Sequence, residues 1–318
     1  MKALPAAALV AGAAFACALL QPIGASASPS DPGVVPPGGS RSLDLTVVPM
    51  TIDEPGTYVV RHDWDLGDAA ESWGTAITVL ADNVTIDFDG HQIMASHTGT
   101  IIKIKGIDVT LRGGFLAGGP QAYAIRSSGR RTVLDHMSIY SHDGLPLSGA
   151  GTVVRDSDLY GRVGALVVND DAIVEHNVIN CFADCVYLGN NDRFERNRVR
   201  PFTEDVVTVR GDHNVLADNT LEAGAPGEIF TSFVITGNQN SLLRNTVLHG
   251  AIRAVISVDG TGNTLDGNVA PPTAEGSSAV GIRFMQGGNY YGNNRMAAQT
   301  PFVTGGVAQT DWGGNVGY

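Results

Sequence analysis

Lysine is almost missing from this chain: only Lys2, Lys103 and Lys105 occur in 318 residues, and the formal net charge is -12. A surface with so few cations and so much acid repels a bare phosphate backbone, which argues against nucleic acid as a partner. Aromatic residues make up 7% and charged residues 16%, whereas there are 40 glycines and many Asn and Asp, a balance that favours a turn-rich β protein over a helical one. Cysteine is scarce as well. Cys17 lies in an apolar leader, and Cys181 and Cys185 stand together in CFADC. In an oxidising compartment they read as a local disulfide, with a metal or redox pair as the alternative. His62, His91, His97, His136, His142, His176, His213 and His249 are scattered without a close pair at metal-ligand spacing, which speaks against a zinc site. Nucleophile-elbow and phosphate-loop motifs are absent, and beyond the leader no stretch approaches the ~20 unbroken apolar residues of a membrane span.

The leader itself is recognisable. Met1 and Lys2 precede an apolar run from Ala3 to Leu20, and Ala25-Ser26-Ala27 supplies a small-residue cleavage site. A signal peptide over 1–27, a flexible Pro/Gly-rich lead-in over 28–42 and one domain over 43–318 follow, giving a soluble, exported, monomeric protein. Loss of Lys2 takes the charge to -13.

What the chain has in abundance is self-similarity. The frame apolar-x-x-Asn-x-apolar places Asn177, Asn197, Asn219, Asn245, Asn268 and Asn294 in register, with Met137 and Ser157 in the same slot earlier. The spacing drifts between about 20 and 26 residues, as expected of coils whose strands are fixed and whose loops vary. Each coil opens with a β-type run: AITV at 76, IIKI at 101, ALVV at 165, VYL at 186, VVTV at 206, FVIT at 233, AVISV at 254. Such short strands cannot close a core within one coil, so coils must stack, about ten of them at ~4.8 Å per rung. An asparagine recurring at one corner of every rung lies above its copies, where the amides can hydrogen-bond along the axis. The expected fold is therefore all-β, a parallel β-helix with three short strands per coil. From Thr51 to Asn294, including EPGTYVVRHDWDL and AITVLADNVTIDFDGHQI, the sequence resembles the right-handed parallel β-helix proteins of the pectin lyase-like superfamily. That resemblance implies the fold but not one activity, since the architecture carries lyases, hydrolases, epimerases and non-catalytic adhesins.

Chemistry is expected on the outward face of the first strand of each coil. Extra length between Glu222 and Ser232 and between Pro271 and Ala279 can wall a groove there. Asp143, Asp184 and Asp205 each stand two residues before an inward apolar position, preceded by Tyr140, Phe182 and Phe202. Carboxylates on adjacent rungs raise one another's proton affinity, so one can act as acid and the other as base, or they can share Ca²⁺; alternatively Asp only shapes the turn. FADCVYL followed by TEDVVTV is similar to the paired acid-bearing coils of polygalacturonases, with Asp184 matching the first acid and Glu204 and Asp205 the second pair. The Gly-His-Gly and Arg-Ile-Lys motifs of that family are missing, and His249 and Arg253 come one coil too late. For β-elimination from a uronate, Lys103, Arg126, Arg253 and Arg283 are the outward cations. Tyr187 can stack a sugar or act as a base. The leading expectation is an exported protein cleaving an extracellular polysaccharide, by hydrolysis or elimination. Asp184, Asp205, Glu204, Tyr187 and Arg253 would be catalytic, with Phe182, Phe202, Arg126, His142 and Asp143 binding substrate. It needs either no cofactor or Ca²⁺ on Asp184 and Asp205. The alternative is a non-catalytic envelope or adhesive β-helix.

Overall fold

A computed structural model describes residues 40–46, 48–67, 74–96, 99–202, 205–222, 231–248, 253–272 and 278–318. The predicted signal peptide and nearly all of the lead-in lie outside these residues. Every sheet pairing among them is parallel, and the chain winds as a parallel β-helix with no α-helix among the described residues. One wall is a 12-stranded sheet that takes a strand from each rung; a 23-stranded sheet forms the rest. No helix among the described residues is long and apolar enough to cross a membrane.

A typical rung shows how sequence makes the coil. Leu166–Val168 lies in the 12-stranded wall, Ile173–Glu175 follows after one corner and Val178–Ala183 after a second, before the next rung opens with Val186–Leu188. Alternation sends Leu166, Val168, Val174 and Ile179 inward, where each is at most 1% exposed. Successive rungs repeat the position: Leu134, Val154, Val174, Phe194, Leu216, Leu242 and Leu265 follow one another in register and are all fully buried. The core is thus a set of vertical apolar stacks. The expected strands are present, and the 12-stranded wall also contains Ala122–Ser127, Pro146–Leu147 and Ala298–Val303, which lie outside the runs singled out from sequence.

Two corners of each rung are held by left-handed backbone followed by a buried amide. At one corner His176, Arg196, Asp218 and Arg244 have φ between 53° and 57°, and the next residue is Asn177, Asn197, Asn219 or Asn245. Each of these amides donates to the Oδ1 of the Asn one rung on, at 2.9–3.2 Å, and to a backbone carbonyl one rung back. The backbone N–H of each Asn also donates to the next rung's Oδ1. Side chain and backbone share one acceptor, so the burial is fully compensated. The ladder runs on through Asn268 and Asn294 to Asn315, and its other end passes to Ser157, whose Oγ accepts from Met137 N.

A second ladder, absent from the sequence reading, occupies the opposite corner: Asp192, Asn214, Asn240, Asn263 and Asn289, ending on Gln309. Beside it runs a glycine column in which backbone touches backbone. A Cβ on Gly211 would stand 2.1 Å from the Gly189 carbonyl oxygen, and one on Gly237 1.8 Å from that of Gly211. Only glycine fits this stacking distance. The C-terminal segment adds a last partial rung: Thr310–Asp311 pairs with Tyr290–Gly292, and Val316–Gly317 with Arg295–Met296.

Candidate functional site

The outward residues of the 12-stranded wall form one vertical column. In register they are Thr78, Lys103, Arg126, Pro146, Val167, Tyr187, Thr208, Val234, Ser257, Arg283 and Val303. (Arg126 is placed against Pro146 by the neighbouring pair Ser127 and Leu147.) Side chains near the middle are short and uncharged except at Tyr187. The two long connections expected to wall a groove run from Thr220–Glu222 to Thr231–Ile235 and from Val269–Ala270 to Ser278–Phe284, both leading into this wall. Residues 223–230 and 273–277 within them lie outside the described set.

Tyr187 is the point where charged groups meet. Asp184, on the turn just before the Tyr187 strand, and Asp205, one rung on, both set negative charge near its hydroxyl. Arg210, at the end of Val207–Val209, lays its guanidinium over the Tyr187 ring at 4.4 Å from the centroid. Burial, Asp184 and, to a lesser degree, Asp205 together push the phenol up to about 12, against the opposing pull of Arg210. A phenol held there is protonated at neutral pH. It is suited to donate a hydrogen bond, not to serve as the base that sequence alone allows.

The turn carrying Asp184 is constrained. Asp184 has φ 48°, and the Cys181–Cys185 disulfide, with Cα atoms 5.3 Å apart, closes around it. The local disulfide is therefore the reading of CFADC that the structure adopts, and it fixes an acid beside the column. Asp205 is held differently: its Oδ1 accepts from the backbone N–H of Thr231 at 2.9 Å. The two carboxylates lie on adjacent rungs, since Val186 pairs with Val207, which sets their backbones ~5 Å apart.

Other predicted residues fall elsewhere. Glu204 lies outside the described residues, as does His249. Arg253 is exposed at the start of Ala254–Val258, two rungs beyond Asp205. Arg126 shares the outward column but stands three rungs below Tyr187, with its guanidinium over Tyr123 at 4.7 Å. His142 Nδ1 contacts the Asp143 carboxylate at 2.9 Å and accepts from Gln121 N, so that pair stays local, two rungs below. Phe182 and Phe202 stack on one another at 5.2 Å; Tyr140 stacks on Tyr160 at 4.8 Å, in a separate column two residues earlier along the strand. Adjacent-rung stacking turns ring faces toward each other and edges toward solvent, so these aromatics have a structural explanation. Sequence reasoning missed Arg210. Its position, just past an outward-inward strand pair and one rung from Tyr187, was readable once VYL and VVTV are set in register.

Among the described residues, the group of three metal-capable side chains with ligand atoms within 4.8 Å of one another is Asp135, His136 and Asp156, at a corner far from Tyr187 in the rung order. Among the described residues Asp184 and Asp205 have no third such partner, and Asp205 already accepts from Thr231 N–H. Calcium takes six to eight oxygens. Two carboxylates fall short of that number, and no step below passes through a metal.

No family model and no curated protein matches the chain. Among solved structures, DFA-IIIase from Arthrobacter chlorophenolicus A6 without its lid, in complex with GF2, superposes with a TM-score of 0.54 at 14% identity, over 81% of this chain and 74% of that one. The same protein in complex with DFA-III gives 0.54 and 14% over 81% and 76%. The A-module of the Azotobacter vinelandii mannuronan C-5 epimerase gives 0.45 at 14% identity, over 83% and 91%. At these identities the likeness is one of fold: the chain is a parallel β-helix.

Proposed function

We propose that this protein is an exported, carbohydrate-active β-helix that cleaves a polysaccharide laid along the outward column of the 12-stranded wall. Asp184, Tyr187, Asp205 and Arg210 would be its reacting groups. The observation that carries the reading is the convergence of two carboxylates and a guanidinium on one outward tyrosine. The leader-like first residues and the disulfide support export. The fold shared with DFA-IIIase supports the scaffold and not the chemistry.

In this reading Tyr187, kept protonated, donates to the glycosidic oxygen as the bond breaks, and Asp184 stabilises the hydroxyl's orientation. Asp205, with one oxygen steered by Thr231 N–H, presents the other as base, either to a water attacking the anomeric carbon or to a ring proton in elimination. Arg210 neutralises charge that develops beside the ring and takes the part that sequence alone assigns to Arg253. A second reading, a non-catalytic glycan-binding β-helix, is favoured by one specific contact: Asp205 is tied to the backbone amide of Thr231 on the next rung, as an aspartate that joins two rungs would be.

A screen of neutral and uronic polysaccharides decides between them, reading reducing ends for hydrolysis and ultraviolet absorbance of unsaturated ends for elimination. Cleavage by the wild type, abolished in Asp205→Asn and strongly reduced in Tyr187→Phe, is the expected result. Binding of a polysaccharide without any bond cleavage would select the second reading.

A further inference from the structure

Cations are treated in two ways on this molecule. On the 23-stranded side most are neutralised: Arg112 pairs with Asp87, Arg155 with Asp135, Arg196 with Glu175, Arg244 with Asp218, and Arg198 and Arg200 both with Glu222. On the 12-stranded wall, Lys103 and Arg126 lie side by side in register, one rung apart in the outward column, and no carboxylate pairs with either among the described residues. Two like charges on adjacent rungs repel, and in a chain of net charge -12 acids to compensate them are plentiful. An uncompensated pair here is a place prepared for an anion supplied from outside.

We infer that Lys103 and Arg126 form an anionic subsite of the glycan cleft, holding a carboxylate or sulfate on a sugar unit three to four rungs from Tyr187. The inference rests on the proposed function of the same column and adds the class of its substrate: an acidic polysaccharide. Three to four rungs span ~14–19 Å. A monosaccharide unit is about as long as a rung is tall, so a chain in the groove brings its third or fourth unit over the pair. The Tyr123 ring under Arg126 holds the guanidinium in place and leaves its outer edge to grip an oxyanion. Contact through Lys103 and Arg126 needs no divalent cation, even though the protein as a whole is acidic.

Direct binding to polygalacturonate, dextran sulfate and neutral dextran, each with EDTA and with Ca²⁺, tests this. The wild type should bind at least one acidic polymer in EDTA about tenfold or more tightly than neutral dextran, and the choice between the first two names carboxylate or sulfate. Lys103→Ala/Arg126→Ala should lose about tenfold or more of that affinity, the scale of a charge-assisted hydrogen bond. Lys103→Arg should keep it, and so should Lys105→Ala, which removes the same charge from a corner outside the column. Circular dichroism and thermal midpoint verify folding. Acidic polymers bound no better than neutral dextran, binding that requires Ca²⁺ and ignores the double substitution, or equal losses in Lys105→Ala would each overturn the inference. Tight binding through the pair without cleavage would overturn the proposed reaction alone. Cleavage that depends on Asp205, with affinity indifferent to the pair, would overturn this inference alone.

Discussion

The corner ladders and the middle of the 12-stranded wall are built by the same winding of the chain, yet they use it in opposite ways. At the corners a residue type repeats: in the first ladder Asn stands on Asn from Asn177 to Asn315, and each amide is met by its copy. On the outward column nothing repeats. Tyr187 has Val167 below it and Thr208 above, and the acids beside it stand on two rungs only. In a solenoid, repetition carries stability, because like side chains satisfy each other. Where repetition stops, a side chain is left to interact with something outside the fold.

That contrast is breakable, and the largest expected effect is on the wall. Asp205→Asn keeps an oxygen for Thr231 N–H but removes the base, so activity should fall by ~10²–10⁴ with the thermal midpoint little changed. A parallel loss of stability would mean that Asp205 belongs to the architecture.

At the corner the reverse is expected. Asn219→Ala strips the acceptor from Asn197 N and from one N–H of Asn197 Nδ2, whose other N–H stays on the Val174 carbonyl, and removes a donor from the Phe194 carbonyl. Denaturant unfolding should show a loss of ~3 kcal/mol or more, since each orphaned group costs ~1–3 kcal/mol.

How much of this was legible in the sequence follows the same division. The frame around Asn177 to Asn294 is visible because its apolar flanks mark the register, and the fold follows from it. The second ladder is written as Gly-x-x-Asn in GDHN, GNQN and GTGN, but Gly and Asn also mark ordinary turns, so the pattern lacks contrast without the apolar flanks. Asp184, Tyr187 and Asp205 were found because strand alternation says which residues face out. Arg210 was not, because a cation just after a strand points to no face until the corner is drawn. The roles of Phe182 and Phe202 needed the rung-to-rung stacking that spacing alone does not give.

A smaller effect sharpens the comparison at the one place where a ladder carries charge. Asp192 stands where later rungs have Asn; burial pushes its carboxyl up to about 7, with Asp170 and Asp171 adding to the rise and N–H donors from Ala172 and Gly189 opposing it. A carboxyl whose folded pKa is raised contributes fully below its unfolded value near 4, and that contribution is lost as pH rises toward 7. Asp192→Asn should remove this loss, and unfolding curves between pH 4 and pH 8 should flatten by ~4 kcal/mol. An unchanged pH profile would place the titration elsewhere.

The smallest effect belongs to the paired surface. Arg244 and Asp218 are exposed and bonded at 2.8 Å, and such pairs are screened by solvent. Arg244→Ala should leave the thermal midpoint within measurement error. A clear drop would show that the charged rows stabilise the rod, as the amide ladders do.

The most direct measurement is a crystal structure of Asp205→Asn soaked with an oligosaccharide that the wild type cleaves or binds. The account predicts a sugar against Tyr187, within reach of Asp184 and Arg210, and a chain running down the column toward Arg126 and Lys103. Sugar seated on the Tyr140 and Tyr160 face, or across a corner ladder, would contradict it.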